Sequence, residues 1–329
     1  MKNIMVTGGA GYIGSTICDY FLKKKLKVVV IDNLSRGYKK LVNRKTNFYK
    51  LDLKEEKKIK RIIEKNKIDT IIHMAALIRV DESIKKPKIY YRNNVEGTVS
   101  LLKAAKNTTV KRFIFSSTCA VYGKLDKIKI NEKDKASPLS PYGKYKLIAE
   151  NKIKIFCKLN KINTVILRYF NVVGAQIKEK PYLGQINETG QLFQNICLYL
   201  QGKKKKLKIF GTKLKTKDGT CIRDFIHVMD LAEIHYLSAV YANEMKSSSE
   251  TFNCGYGKGY SVKEVVETFA KESQKKISIT EAPYKKGDII KSVCNNKKIL
   301  KKLKWKPNHN NLNIMVRDTI KWFNFLHKN

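Results

Sequence analysis

The stretch TGGAGYIG, residues 7–14, lies between the apolar run NIMV and the mixed segment STICDYFL, and it narrows the possible folds more than any other part of the chain. Gly8, Gly11 and Gly14 follow a GxxGxxG spacing after a strand-like run and before a helix-like one. Glycine tolerates left-handed backbone and lets another main chain or a ligand come close. In this setting the first glycine serves a tight turn, the second admits a pyrophosphate to the main chain, and the third packs helix on strand. The helix N-terminus then faces the phosphates with its positive dipole end. A plain turn also uses glycines, so the motif gains its weight from Asp32. That residue closes the next strand-like run, KVVVID, eighteen residues past Gly14, where a carboxylate accepts from adenosine ribose hydroxyls. A carboxylate there repels a 2′-phosphate, so NAD is expected rather than NADP.

Short β-rich runs alternate with helical stretches from the start: NIMVTG, KVVVID, NFYKLDL, TIIHMAA, RFIFSST and TVILRYF. Runs apolar on both sides of the pleat suit a parallel sheet covered by helices on both faces. The expected fold is α/β, a doubly wound parallel Rossmann sheet with a smaller mixed α/β substrate-binding lobe. Residues 1–175 form the expected NAD-binding lobe, rejoined by a returning segment near 220–240. Residues 176–329, where the pattern loosens beyond Tyr182, form the other lobe.

The formal charge of +40 raises nucleic acid as a partner. Its quality argues against that reading: 59 lysines stand against nine arginines and run from Lys2 to Lys328 without forming one block. Dedicated phosphate and base readers lean on the arginine fork. A lysine-rich solvated surface is expected, one whose field draws in anionic substrates. No run approaches the eighteen or so apolar residues of a membrane span, so a soluble, cytoplasmic protein without membrane partners is expected. Seven scattered cysteines without a CxxC pair suggest reduced, packing thiols and no metal site.

In SPYGKYKLIAEN, Tyr142 and Lys146 stand four apart on a helix begun by Pro141, and so share a face. A phenol with a reference pKa of about 10 is a poor base, but an adjacent ammonium and a cationic nicotinamide both favour phenolate. Tyr142 then becomes a usable proton acceptor. Chance placement on an amphipathic helix is the alternative. Upstream, FSSTCAVYG ends the fifth strand at the carboxyl edge of the sheet, and its Thr118 hydroxyl can bond the same substrate oxygen as Tyr142.

With these residues in view, the chain resembles the extended short-chain dehydrogenase/reductases, and within them the UDP-glucose 4-epimerases. The resemblance covers nearly the whole chain and is narrowest in LRYFNVVGA and RDFIHVMDLA; IDNLSRG, IIHMAAL, FIFSSTCAVYG, IFG and KLKWKP extend it. It implies reversible 4-epimerisation of a UDP-hexose through a 4-keto intermediate, with transient hydride transfer to tightly bound NAD and Tyr142, Lys146 and Thr118 as catalytic groups. It also implies that Tyr12, Ile13, Asp32, Asn33, Asp52, Leu53, Met74, Ala75, Asn93, Tyr142, Lys146 and Phe170 contact the cofactor. Asn171, Arg223, Lys285 and Asp288 would grip the UDP-sugar. Arg223 suits a diphosphate through its fork; an ion pair with adjacent Asp224 is its other reading. A homodimer built through a helical bundle is implied as well.

Sister dehydratases and decarboxylases share the tyrosine and lysine, but they carry acid residues after the threonine where this chain has Cys119 and Ala120. Another nucleotide-sugar enzyme of this kind, a decarboxylase or a reductase, remains the nearer alternative, and RNA binding on a dehydrogenase-like fold the more distant one. The chain departs from the family at Ile78, where some members carry lysine, although Arg79 is adjacent. It departs again at Gly190-Gln191-Leu192 and at Lys285-Lys286, which replace an Asn-Asn-Leu or His-Leu segment and an arginine. Ser292 aligns with the wall beside the sugar 2-substituent, where a tyrosine confines some members to unsubstituted hexoses. The small side chain extends the expected substrates to UDP-N-acetylglucosamine and UDP-N-acetylgalactosamine, unless Ser292 is simply a surface serine. His73 and His227 read as core histidines without a role, and Phe193, Tyr199 and Phe269 as core aromatics.

Overall fold

The computed structural model describes residues 1–125, 127–187, 189–245, 248–284 and 289–328. Strand β1 (Asn3–Thr7) passes through the glycine turn into α1 (Tyr12–Lys23), followed by β2 (Lys27–Asp32), β3 (Asn47–Lys50), α2 (Glu56–Lys65) and β4 (Thr70–His73). Short helices α3 (Val80–Lys85) and α4 (Pro87–Tyr91) lead through a π turn at Arg92–Glu96 into α5 (Gly97–Ala105). Then come β5 (Arg112–Thr118), α6 (Pro141–Leu159), β6 (Asn163–Tyr169) and β7 (Asn171–Val173). The remaining elements are α7 (Leu192–Leu200), β8 (Leu207–Phe210), β9 (Ile222–His227), α8 (Val228–Glu244) and β10 (Ser249–Cys254). The chain closes with β11 (Gly259–Ser261), α9 (Val262–Ser273), β12 (Ile279–Ala282), β13 (Lys291–Ser292), α10 (Lys297–Leu303) and α11 (Leu312–Lys328).

The main sheet has the order β10-β6-β5-β4-β1-β2-β3, and every pairing in it is parallel. Its strands alternate between two apolar layers, as the period of two requires. Ile4, Val6, Val28 and Val30 face the layer under α1 and α8, whereas Met5, Val29 and Ile31 face the layer under α2, α5 and α6. Each fully buried side chain of this size contributes about 1.5–3 kcal/mol, so a shift of register by one residue would exchange both layers at once.

The return of the chain to this sheet is longer than the segment near 220–240 suggested. β10 is the edge strand next to β6, and Ile299, Leu303 and Trp305 pack into the α1/α8 layer. The extra strand removes an open β6 edge, and α10 and Trp305 add apolar cover to that layer. The smaller lobe carries β9 at the centre of a mixed sheet with β7, β11 and β13, a two-stranded β8–β12 ribbon, and a third core under α7, α9 and α11. Phe193 and Phe269 are buried in that core and in contact with each other, and Tyr199 packs at its margin. No helix among the described residues is long and apolar enough to cross a membrane.

Candidate active site

The strand order steps outward in opposite directions from β1 and β4, which opens a crevice at the carboxyl ends of the strands. A cavity of about 530 Å³ lies there. Gly8, Gly11, Tyr12, Ile13 and Gly14 line one wall, Asp32, Asn33, Asp52 and Leu53 the next, and Met74, Ala75 and Asn93 a third. Thr118, Tyr142, Lys146, Phe170, Asn171, Arg223 and Ser292 complete it. Lys285 and Asp288 lie outside the described residues.

Local chemistry explains how each wall is held. Gly8 has φ +75, and a Cβ there would come within 2.7 Å of the Ala75 backbone nitrogen. Gly14 packs directly on the turn rather than on the strand beneath it: its missing Cβ would lie 2.2 Å from the Gly8 carbonyl. Gly11 caps α1 with no side chain bonded to the helix, which leaves the first N–H groups turned toward the cavity. The Asp32 carboxylate accepts from the Ala10 and Leu34 backbone nitrogens at 3.0 and 2.8 Å, and burial pushes its pKa up. Asn33 donates to Asp52 at 3.0 Å, Asn93 to Asn94 at 2.8 Å, and Tyr12 to the Gly174 carbonyl at 2.6 Å.

Helix α6 begins with Pro141 at its first turn and the Ser140 hydroxyl accepting from Gly143 at 3.2 Å, two features that start helices independently. That start sets the phase which buries Tyr142, Lys146, Ala149 and Glu150 on one face. The Thr118 hydroxyl accepts from Ala120 at 3.2 Å and is hydrogen-bonded to the Tyr142 phenol. Lys146 donates to the Ser116 carbonyl at 2.8 Å, and its ammonium lies 4.7 Å from the centre of the Phe115 ring. Burial pushes the Tyr142 phenol up to about 12 against the opposing Thr118 bond, and it lowers Lys146 to about 7 while Glu150 holds it up. At the phenol, then, desolvation outweighs the Thr118 bond.

Asp224 sits buried beside Arg223 on β9, where its carboxylate accepts from Tyr256, Gly257 and Cys294 and is pushed up to about 6 by burial. Arg223, its neighbour on β9, donates to the Ile222 and Ile290 carbonyls and faces the cavity. The Asn171 side chain donates to the Asp224 carbonyl at 3.0 Å. Ser292 is not a surface residue: it is 4% exposed and hydrogen-bonded to the Cys119 thiol, which burial pushes up to about 11.

A family model described as the NAD dependent epimerase/dehydratase family matches residues 4–255. The chain belongs to the NAD-dependent epimerase/dehydratase family. It is 38% identical over 308 residues to a UDP-glucose 4-epimerase of Rhizobium meliloti, covering 94% of this chain and 93% of the relative. A solved UDP-glucose 4-epimerase from Stenotrophomonas maltophila, with bound NAD and formylated UDP-arabinopyranose, superposes with TM-score 0.95 at 31% identity over 100% and 99% of the two chains. The UDP-Glc/GlcNAc 4-epimerase of Campylobacter jejuni gives TM-score 0.86 at 36% identity over 99% and 100%.

The epimerase/dehydratase cofactor fits the residues present. The cradle over the glycine turn is one that a Cβ on Gly8 or Gly14 would fill, and an uncapped helix end faces it. Several cavity residues of this family member carried no signal in the sequence. Arg36 and Glu82 pair at 2.6 Å across the mouth, and Asn187 donates to the Arg36 carbonyl. Gln185 lines the cavity as well, together with Gln191, the residue preceding α7 and part of the Gly190-Gln191-Leu192 departure read in the sequence. Arg79 bonds Asp81 at 2.7 Å beside the half-exposed Ile78. His73 bridges Thr7 and Thr98 at 2.8 Å each, and His227 caps α8; both are buried.

Proposed function

We infer that the chain is an NAD-dependent UDP-hexose 4-epimerase that interconverts UDP-glucose and UDP-galactose. The observation that carries this reading is the meeting, in one cavity, of the glycine cradle, the Tyr142–Thr118 hydroxyl pair and Arg223. Cys119 and Ala120 offer no carboxyl for elimination or decarboxylation chemistry. When bound, NAD supplies a reversible hydride acceptor at the sugar C4. Tyr142 Oη takes the proton of the 4-hydroxyl and later returns it, with Thr118 steadying the same oxygen and Lys146 keeping a positive charge beside the phenol. Gly8, Gly11 and Gly14 with Tyr12 and Ile13 hold the pyrophosphate, Asp32 and Asn33 the adenosine ribose. Asp52, Leu53, Met74, Ala75, Asn93 and Phe170 enclose the rest of the cofactor. Asn171 and Arg223, with Lys285 and Asp288, grip the UDP end while the 4-keto sugar turns over and presents its other face. On this division of labour the main sheet serves the cofactor and the smaller lobe the sugar nucleotide.

Ser292 leaves space for an N-acetyl group, so UDP-N-acetylglucosamine is a substrate alongside UDP-glucose. Incubation with each UDP-hexose, followed by proton NMR of the anomeric signals, should show both C4 pairs interconverting. Ser292→Tyr should lower turnover of the N-acetyl pair by about tenfold or more while sparing UDP-glucose, a typical penalty for filling a pocket. Absence of any C4 epimer would overturn the reading as a whole, and undiminished N-acetyl turnover in the variant would remove the role of Ser292.

We propose that a second copy of the chain docks on α6. Ile155 and Leu159 stand 63% and 77% exposed on its outer face, with Ile148 two and three turns before them, and Tyr145 packs on Tyr91 at 5.4 Å. A stripe of this kind on a helix is what a bundle buries. Sedimentation equilibrium should give twice the chain mass, and Ile155→Asp with Leu159→Asp should reduce it to one; a monomeric wild type would end the proposal.

A further inference from the structure

On the same helix face that carries Tyr142 and Lys146, the next position four residues on is Glu150, which is fully buried. A buried carboxylate needs partners, and Glu150 has them from two strands beneath the helix. Ser117 of β5 donates to it at 2.5 Å, and Arg168 of β6 forks onto both oxygens at 3.0 and 2.6 Å. Ser117 and Arg168 are paired across the β5–β6 ladder, so the acid is fixed from below by one rung of the sheet. The adjoining rung matters as much, because Lys146 donates to the carbonyl of Ser116. The ammonium and the carboxylate are therefore held on consecutive residues of the same strand, one helical turn apart.

Lys146 is 3% exposed, a setting that favours the neutral amine, and the Phe115 ring 4.7 Å from its ammonium is a partial counterweight. The ionisable groups around it offer little else to keep it charged. Tyr142 is neutral in this state, and His73 of β4 is buried and pushed down to about 3, so it adds no charge. Tyr169 of β6 bonds the Ser116 hydroxyl and is raised well above its ordinary range, hence neutral. On the other side of Glu150, Arg168 reaches away from Lys146: it lies over the Tyr122 ring at 4.8 Å and donates to the Glu132 carbonyl. Lys154, the next turn of α6, also feels Glu150, together with Arg168 and Lys298 of α10.

We propose that Glu150 is a positioning residue for the reaction, the buried counter-charge that keeps Lys146 in its ammonium form beside Tyr142. The proposal rests on the epimerase reading for its consequence, since a charged Lys146 is what lets Tyr142 hold and release a proton at neutral pH. Burial alone would discharge the lysine, and the carboxylate one turn behind it opposes that, as its upward pull on Lys146 indicates. Arg168 has the separate task of making a buried carboxylate tolerable.

The test removes the charge without leaving its partner stranded. In Glu150→Gln/Arg168→Met both ends of the pair become neutral, and Glu150→Gln alone is measured beside it, so that whichever variant folds gives the answer. In cofactor-free protein, the Lys146 ammonium is followed by carbon NMR of labelled lysine, assigned by its disappearance in Lys146→Arg. Its midpoint, about 7 in the wild type, should fall by about one unit or more, the usual effect of deleting a close opposite charge. In loaded enzyme, kcat at pH 7.5 should fall about tenfold with KM for UDP-glucose changed less than about twofold, the split expected when the chemical step alone is impaired. A Lys146 midpoint that stays in place in a folded variant overturns the proposal and makes the pair purely structural. A wild type that does not epimerise would instead refute the functional reading, and the lysine titration would still decide the role of Glu150.

Discussion

Tyr142→Phe is expected to lower kcat for UDP-glucose epimerisation by about 10³-fold, the usual worth of a positioned acid–base group, with KM little changed. The phenol oxygen is the atom assigned to the 4-hydroxyl proton, and no neighbour can take it over. Thr118 is an aliphatic hydroxyl, which keeps its proton far above neutral pH, Lys146 is committed to the Ser116 carbonyl, and Cys119 holds its proton up to about pH 11. The fold should tolerate the change. Tyr142 is mostly buried, a phenyl ring fills its volume, and the lost hydrogen bond is worth about 1 kcal/mol. The pH response has a definite sign. Burial raises the Tyr142 phenol, so the wild-type protein gains a proton acceptor as pH rises, and the phenylalanine variant should lose that rising limb. A circular-dichroism melt beside steady-state assays across pH separates the two effects. Turnover above one tenth of wild type, in a protein melting normally, would mean that the proton goes elsewhere.

How much of this was legible in the sequence depends on how local each feature is. The glycine turn, Asp32 and the Tyr142–Lys146 pair lie within single elements whose spacing sets their geometry, so strand, turn and helix phase could be read directly. The six strands of the first 170 residues stood out because their apolar runs serve two covered faces. Long-range arrangements left no such trace. β10 reads SETFNC, four of its six residues polar, and becomes an edge strand only because β6 is there to pair with it. The Arg36–Glu82 bridge joins residues 46 apart, and Asn187 reaches back 151 residues to Arg36. Asp224 looked like a partner for Arg223 because the two are adjacent, yet alternation along β9 sends their side chains to opposite faces, and the carboxylate ties three backbone nitrogens instead. Glu150 was in plain sight four residues past Lys146. Its meaning came from Arg168 and Ser117, which no spacing rule connects to it. Desolvation of Tyr142 was invisible for the same reason: burial is a property of the assembled walls.

Gly14→Ala should damage the protein before any ligand is added. Gly14 lies within α1, where alanine is intrinsically favoured, so helix propensity alone would forecast a gain of about 1 kcal/mol. Space decides otherwise. The new methyl would meet the Gly8 carbonyl oxygen at 2.2 Å and the Gly9 Cα at 2.9 Å, all main-chain atoms with no rotamer to yield. Gly8 cannot retreat, because its nitrogen is bonded to the Ile31 carbonyl at 2.8 Å and its own Cβ position is closed by Ala75. The helix must move instead, dragging buried Ile17 and Phe21 off the main sheet, at a net cost of about 1–3 kcal/mol. Gly11→Ala supplies the contrast. Its methyl would come no nearer than 3.3 Å to the Gly8 carbonyl, a contact that a small shift relieves, but it would project into the space assigned to the pyrophosphate. The melting temperature of cofactor-stripped protein should therefore fall by several degrees in Gly14→Ala and hold in Gly11→Ala, whereas co-purifying NAD, measured after acid release, should drop about tenfold or more in both. If Gly14→Ala melts like the wild type and keeps its NAD, the close packing of the turn against α1 is not what builds the cradle. A Gly11→Ala protein that retains NAD would move the phosphates away from that position.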